Sequence, residues 1–158
     1  MDDAALRTHR WTRVEYDRLI DCGLFGEDAR LELLDGGLVV REPQGSRHSA
    51  AVVVRGAPWD YASGHPTAPL LLVEIAETSL AIDRRHKGSL YARAGITDYW
   101  IVNLPEAVLE IYREPVASVE APFGWAYRNI QRLARGALVA PLALPTSRIA
   151  VGDLLPPT

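Results

Sequence analysis

Cysteine is almost missing from this sequence. Cys22 is the only one, which excludes an intrachain disulfide and any zinc site built on cysteines. Long hydrophobic runs are missing too. The longest apolar stretch runs from Pro69 to Ile75 and carries Glu74 inside it, far short of the roughly 20 residues that cross a bilayer. The opening residues, MDDAALRTHRW, contain no apolar run, so no signal peptide is expected. Nor is there a surplus of positive charge. The 17 Lys and Arg are outnumbered by 20 Asp and Glu, for a formal charge of −3. The chain as a whole is not drawn to nucleic acid, although a local basic patch remains compatible with that balance. These absences lead to the expectation of a cytoplasmic protein with no membrane segment.

What is present suits one globular domain spanning residues 1–158. A chain of 158 residues is long enough for a single sizeable core, and its 48% apolar and 23% charged residues are ordinary for such a domain. Thr12 followed by Glu15 forms a capping box that opens a helix to about Cys22, with Gly23 as its stop. LELLDGGLVV places two apolar runs around Asp35-Gly36, a strong hairpin signal. AAVVVR reads as a short strand, and GAPWDYASGHPTAP as a loop. LLLVEIA reads as a buried strand, and Asp83 to Ala94 as a helix closed by Gly95. DYWIVN and VLEIYR are two further strands around a turn at Leu104 to Ala107. The tail is less defined: WAYRNIQ alternates weakly, ALVAPLALP carries two prolines, and IAVGDLL suggests an edge segment. This order predicts an α/β fold, a mixed β-sheet flanked by helices.

Glu74 is the most informative residue. Alternate side chains of a strand share a face, so Glu74 sides with Leu70, Leu72 and Ala76. A carboxylate in that company is costly unless it is paired, hydrogen-bonded or metal-bound. Two readings stand: a buried ion pair or a strand end at solvent, and a site carboxylate. Lys87 is the second candidate. Asp83, Lys87, Leu90, Tyr91 and Ala94 are spaced by threes and fours and lie along one helix face. Leu90, Tyr91 and Ala94 mark that face as the core side, from which Lys87 reaches toward the end of the Glu74 strand. The plainer reading is an Asp83–Lys87 surface pair worth roughly 0.3–0.5 kcal/mol.

Glu32 shares a strand face with Leu34, and alternation alone turns such a residue to water. His48 and His86 have no partner at metal-ligand spacing and read as surface residues. Ser79, beside Thr78, reads as a turn or capping hydroxyl, since no GxSxG context surrounds it. Arg84-Arg85-His86-Lys87 reads as a solvated helix start that is also suited to phosphate contacts.

Taken in order, RWTRVEYDRLIDCGLF, RLELLDGGLVV, RGAPWDYASGHPTAPLLLVEIAETSLAIDRRHKGSLYARAGITDYWIVN and VLEIYREP resemble the Uma2 family of candidate restriction endonucleases. That family is a branch of the PD-(D/E)XK nuclease superfamily. The resemblance runs from about Arg10 to about Pro115, and the tail is only loosely similar. It implies a restriction-endonuclease-like core. It also implies a site made of a Glu at Glu32, the Asp of a PD dipeptide, a Glu at Glu74, and a Lys that has moved onto the following helix, at Lys87. Counted back from Arg55-Gly56-Ala57-Pro58, the PD dipeptide falls on Ser49-Ala50, where no aspartate stands. GSRHSAA resembles the opening of a second long helix yet runs straight into AVVVRGAP. The chain therefore reads as an internally deleted, partly truncated member, and Asp60 and Asp83 do not obviously take the missing place.

The resemblance implies metal-assisted hydrolysis of DNA phosphodiester bonds, with Mg²⁺ or Mn²⁺ held weakly by Glu74 and Glu32. Lys87 would stabilise developing negative charge or orient water. DNA is the implied partner, and a homodimer is compatible. Two other readings stay open. One is a catalytically inactive nuclease-fold module that binds nucleic acid or a protein partner. The other is a product of gene decay. The missing aspartate supports the first of these, and the apparent loss of core elements supports the second.

Overall fold

The structure is a computed structural model that describes residues 10–22, 30–34, 37–41, 49–54 and 69–157. The chain divides into two compact units, Met1–Gly45 and Ser46–Thr158.

In the first unit, helix α1 spans Arg13–Asp21. Its capping box is formed in full. The Thr12 amide donates to Glu15 Oε2 at 2.8 Å, and the Glu15 amide donates to Thr12 Oγ1 at 3.3 Å. Two of the free donors at the helix start are thereby satisfied. Strands β1 (Arg30–Leu34) and β2 (Gly37–Arg41) pair antiparallel, with Leu34 opposite Gly37. That register is the two-residue connection the Asp-Gly signal predicts. Gly23 and Asp35-Gly36 themselves lie outside the described residues.

The second unit holds a five-stranded sheet in the order β3-β4-β5-β6-β7. Its strands are β3 (Ser49–Val53), β4 (Leu71–Ala76), β5 (Asp98–Asn103), β6 (Val108–Ala117) and β7 (Trp125–Ala134). Only β4 and β5 are parallel; the other neighbours run antiparallel. A parallel pair needs a crossover. Here it is a helix that starts as α2 (Leu80–Ile82), passes through a π turn (Asp83–Lys87) and continues as α3 (Gly88–Arg93). The helix begins before the expected Asp83. It stops at Gly95, whose φ of +76° is the left-handed conformation that glycine adopts without strain. Gly95 N–H bonds to Ala92 O and Ile96 N–H to Tyr91 O, which closes the last turn.

β5 is the middle strand, and all six of its residues are buried. One sheet face, carrying Leu72, Ala76, Tyr99 and Ile101, packs on Ala92 and Ile96 from the end of the crossover helix. The other, carrying Leu71, Trp100, Val102, Leu109 and Ile111, is covered by Val139, Val151 and Leu155. Those three come from the tail, which forms β8 (Leu138–Val139), β9 (Ile149–Ala150) and α4 (Val151–Leu154). The tail is thus a lid on the core. IAVGDLL does not extend the main sheet: β9 pairs with β8, and Val151 is fully buried. Buried Asp98 secures this layer. It accepts hydrogen bonds from Arg113 Nε at 2.7 Å, Trp100 Nε1 at 2.8 Å and the Leu142 amide at 2.8 Å.

Candidate active site

Glu74 sits within β4 between Leu72 and Ala76 on the helix-covered face, and it is 5% exposed. The register carries a single row across the sheet from this point. Ala50, Glu74, Ile101, Glu110 and Arg132 stand opposite one another on β3, β4, β5, β6 and β7. The strand pairing places position 50 beside Glu74.

The crossover helix brings Lys87 to Glu74. Lys87 Nζ lies 3.0 Å from Glu74 Oε1 and 3.2 Å from Asp83 Oδ1. The Tyr91 hydroxyl donates to the same Glu74 oxygen at 2.9 Å. Asp83 and Lys87 are 1% and 3% exposed, so the expected surface pair is in fact a buried one, because the helix face that carries it lies against the sheet. Of the 17 Lys and Arg residues, Lys87 is the only lysine. A chain that meets every other need for a cation with arginine keeps at this point a compact ammonium, whose geometry a planar guanidinium does not reproduce.

The π turn changes the face read from the sequence. Lys87 and Tyr91 point to Glu74, but Ala94 is the exposed C-cap, and Ala92 is the buried residue of the last turn. The turn replaces an ordinary helical bond with Gly88 N–H to Asp83 O. The extra residue this accommodates rotates everything that follows. Ser79 stands at the N-cap position but does not cap the backbone. Its hydroxyl donates to Asp83 Oδ2.

A second polar cluster lies farther along the same row. Glu110 is 1% exposed and receives Arg84 through Nε at 2.9 Å and also through Nη2. Asn103 Nδ2 at 2.7 Å and the Tyr112 hydroxyl at 2.7 Å also donate to it, and Arg132 Nε lies 3.8 Å away. Burial pushes the Glu110 carboxyl up, but the hydrogen bonds from Arg84, Tyr112 and Asn103 outweigh it and hold the group below its ordinary value. Arg84 is raised above its own, chiefly by its bond to Glu110. Arg84, Arg85 and His86 are all exposed, but Arg84 is held to the sheet by its bonds to Glu110. Next to this turn, a cleft of about 260 Å³ opens between the helix and the β6–β7 hairpin, with Arg85, Ser89, Trp125 and Ile130 on its walls. Neither Glu74 nor Lys87 lines it.

Glu32 stands on β1 opposite Val39, in the first unit. His48 lies outside the described residues. Among the described residues, no group of three or more His, Cys, Asp and Glu side chains is arranged to hold a metal ion. No helix of the described residues is long and apolar enough to cross a membrane.

Comparison with protein families decides what this arrangement belongs to. The model of Uma2, described as "Putative restriction endonuclease", matches residues 50–152. The chain belongs to the Uma2 family. The mixed five-stranded sheet with its helices is accordingly an α/β, restriction-endonuclease-like fold. No curated protein matches the chain. The Uma2 match starts at the strand that pairs with Glu74 and extends through the tail, which the sequence segments had suggested was only loosely similar. The β8–β9–α4 layer thus falls inside the family's matched region.

Strand parity and helix spacing singled out Glu74 and Lys87, and the Uma2 resemblance gave them site roles but set Asp83 aside. Two signals pointed to Asp83: its i,i+4 spacing to the only lysine, and the buried helix face that carries both. As for a divalent ion, Mg²⁺ is commonly held by one or two carboxylates together with water and phosphate oxygens. Glu74 is one such carboxylate, with Lys87 and Tyr91 both on its Oε1. The residues present thus offer a divalent ion one carboxylate of suitable chemistry at this point, Glu74, and few further ligands.

Proposed function

We propose that this Uma2 protein is an endonuclease-like phosphodiester hydrolase acting on DNA with Mg²⁺ or Mn²⁺, at reduced capacity. The observation that carries this reading is the 3.0 Å contact between Lys87 Nζ and Glu74 Oε1, two residues to which the resemblance assigns a site role. Glu74 would hold the ion, with Glu32 as a further retained carboxylate position. When bound, the ion supplies polarisation of the phosphoryl oxygen and lowers the pKa of a bound water. Lys87 contributes fixed positive charge where negative charge develops, and Tyr91 orients the Glu74 carboxylate. The reduction follows from position 50, where the row opposite Glu74 carries Ala in place of a carboxylate.

A second reading, a catalytically inactive module that binds nucleic acid or a protein partner, is favoured by one observation. Lys87 is 3% exposed and its charge is shared between two carboxylates.

The test is cleavage of plasmid and single-stranded DNA with Mg²⁺ and with Mn²⁺, using the parent, Glu74→Gln, Glu32→Gln and Lys87→Met. Slow metal-dependent cleavage that falls at least tenfold in Glu74→Gln supports the enzyme. Equal rates in parent and Glu74→Gln reject it. No cleavage by any protein, with DNA retained equally by parent and Glu74→Gln in a mobility-shift assay, favours the inactive module.

A further inference from the structure

A lysine side chain is a flexible stem of four methylenes. Fixing its ammonium at one point requires anchors from more than one direction. Glu74 supplies one from β4, and Asp83 supplies the other from the helix itself, 3.2 Å from Nζ. Asp83 is in turn held at both its side chain and its main chain. Ser79 Oγ donates to Oδ2, and Oδ1 is the oxygen that forms the ion pair with the lysine. The Asp83 carbonyl accepts Gly88 N–H across the π turn and the Tyr99 hydroxyl at 3.1 Å. An ordinary i,i+4 surface pair has none of this support. Irregular turns of this kind inside helices are frequent at functional sites, and this one spans the residues from Asp83 to Lys87.

We infer that Asp83 is a positioning residue for Lys87, acting through its charge, with Ser79 setting the orientation of its carboxylate. The inference deepens the proposed function, since it rests on Lys87 being a site residue. It assigns to Asp83 a task separate from folding: it keeps the ammonium against Glu74 instead of leaving it to sample several rotamers.

The experiment uses the fact that Lys87 is the only lysine. Lysine-selective ¹³C,¹⁵N labelling of the whole chain gives one set of lysine side-chain signals. In the parent, the expected spectrum has an ammonium cross-peak from slowly exchanging protons and two distinct Hε shifts from an immobilised methylene. Asp83→Asn keeps the shape and removes the charge. It should lose the ammonium cross-peak and merge the Hε shifts, while the backbone amide spectrum of β4 to β7 stays native. Asp83→Glu should retain the cross-peak. Persistence of both signals in Asp83→Asn, or their equal loss in Asp83→Glu, overturns the inference. Should Asp83→Asn not fold, Ser79→Ala decides: broadened Lys87 signals support the inference and unchanged ones overturn it. DNA cleavage is not read here. An inactive parent therefore counts against the enzyme while the Lys87 signals still decide the role of Asp83.

Discussion

Ala50 and Glu74 stand directly opposite each other across the antiparallel pair of β3 and β4. Opposed residues in a sheet are close neighbours, so Ala50→Asp places a second carboxylate beside Glu74. Two carboxylates near each other repel unless a cation lies between them. Without metal, the variant should be less stable than the parent, because its new carboxylate stands beside that of Glu74. Divalent ion at 100 times its Kd returns about 2.7 kcal/mol. Thermal melts with and without Mn²⁺ check this, alongside the cleavage assay. A destabilised variant that Mn²⁺ does not rescue would show that the site lacks more than one ligand.

Removing Lys87 should cost more than removing any exposed cation. Lys87→Met leaves Glu74 and Asp83 facing each other in a buried site, and breaking a buried pair in this way costs about 3–5 kcal/mol. Lys87→Arg should also destabilise, because the larger planar group has to fit between two oxygens now 3.0 and 3.2 Å from one nitrogen. Urea denaturation measures both. A loss below about 1 kcal/mol for Lys87→Met, the range of a surface pair, would contradict a buried triad.

The second cluster predicts an acid-side dependence. Hydrogen bonds from Asn103, Arg132 and Arg84 hold Glu106 down to about 2, and Glu110 is lowered as well. A carboxyl lowered by folding contributes stability that is complete above its unfolded value, near 4.5, and that is lost as pH falls through the folded value. The urea midpoint should therefore drop between about pH 4.5 and about pH 2. Glu106→Gln should flatten that slope relative to the parent. Parallel pH profiles would mean that Glu106 gains nothing from folding.

Asp98 ties the tail to the sheet through Arg113, Trp100 and the Leu142 amide. Asp98→Ala leaves the Arg113 charge without its carboxylate and the Leu142 amide without its acceptor, at a cost of about 3–5 kcal/mol. Hydrogen exchange should show the loss first in β8, β9 and α4. Protection lost evenly over the whole sheet would argue against a local tie.

Much of the local structure was legible because its causes are local. The Thr12–Glu15 box, the two-residue gap between Leu34 and Gly37, and the stop at Gly95 each depend on a few adjacent residues. LLLVEIA was legible as a strand because its length and branched residues suit a buried one, and parity alone put Glu74 with Leu72 and Ala76. The face of the crossover helix was legible only in part. A regular 3.6-residue period predicts Ala94 on the core side, and a π turn breaks that period. The turn is stabilised from outside the helix, by the Tyr99 hydroxyl on Asp83 O, a contact no window of the sequence contains.

The sequence by itself determined which residues the proposed chemistry rests on: one carboxylate in an apolar strand, one lysine on the helix that follows, and no aspartate at Ser49-Ala50. Only the tertiary structure decided how they are used. It set Ala50 opposite Glu74, buried an Asp83–Lys87 pair that spacing alone would leave in water, and made the tail a layer of the core. The physical reason is that spacing along a chain specifies which face of an element a residue occupies. What that face meets is decided by strand order, register and the elements packed on it, and burial then sets the strength of every charge placed there.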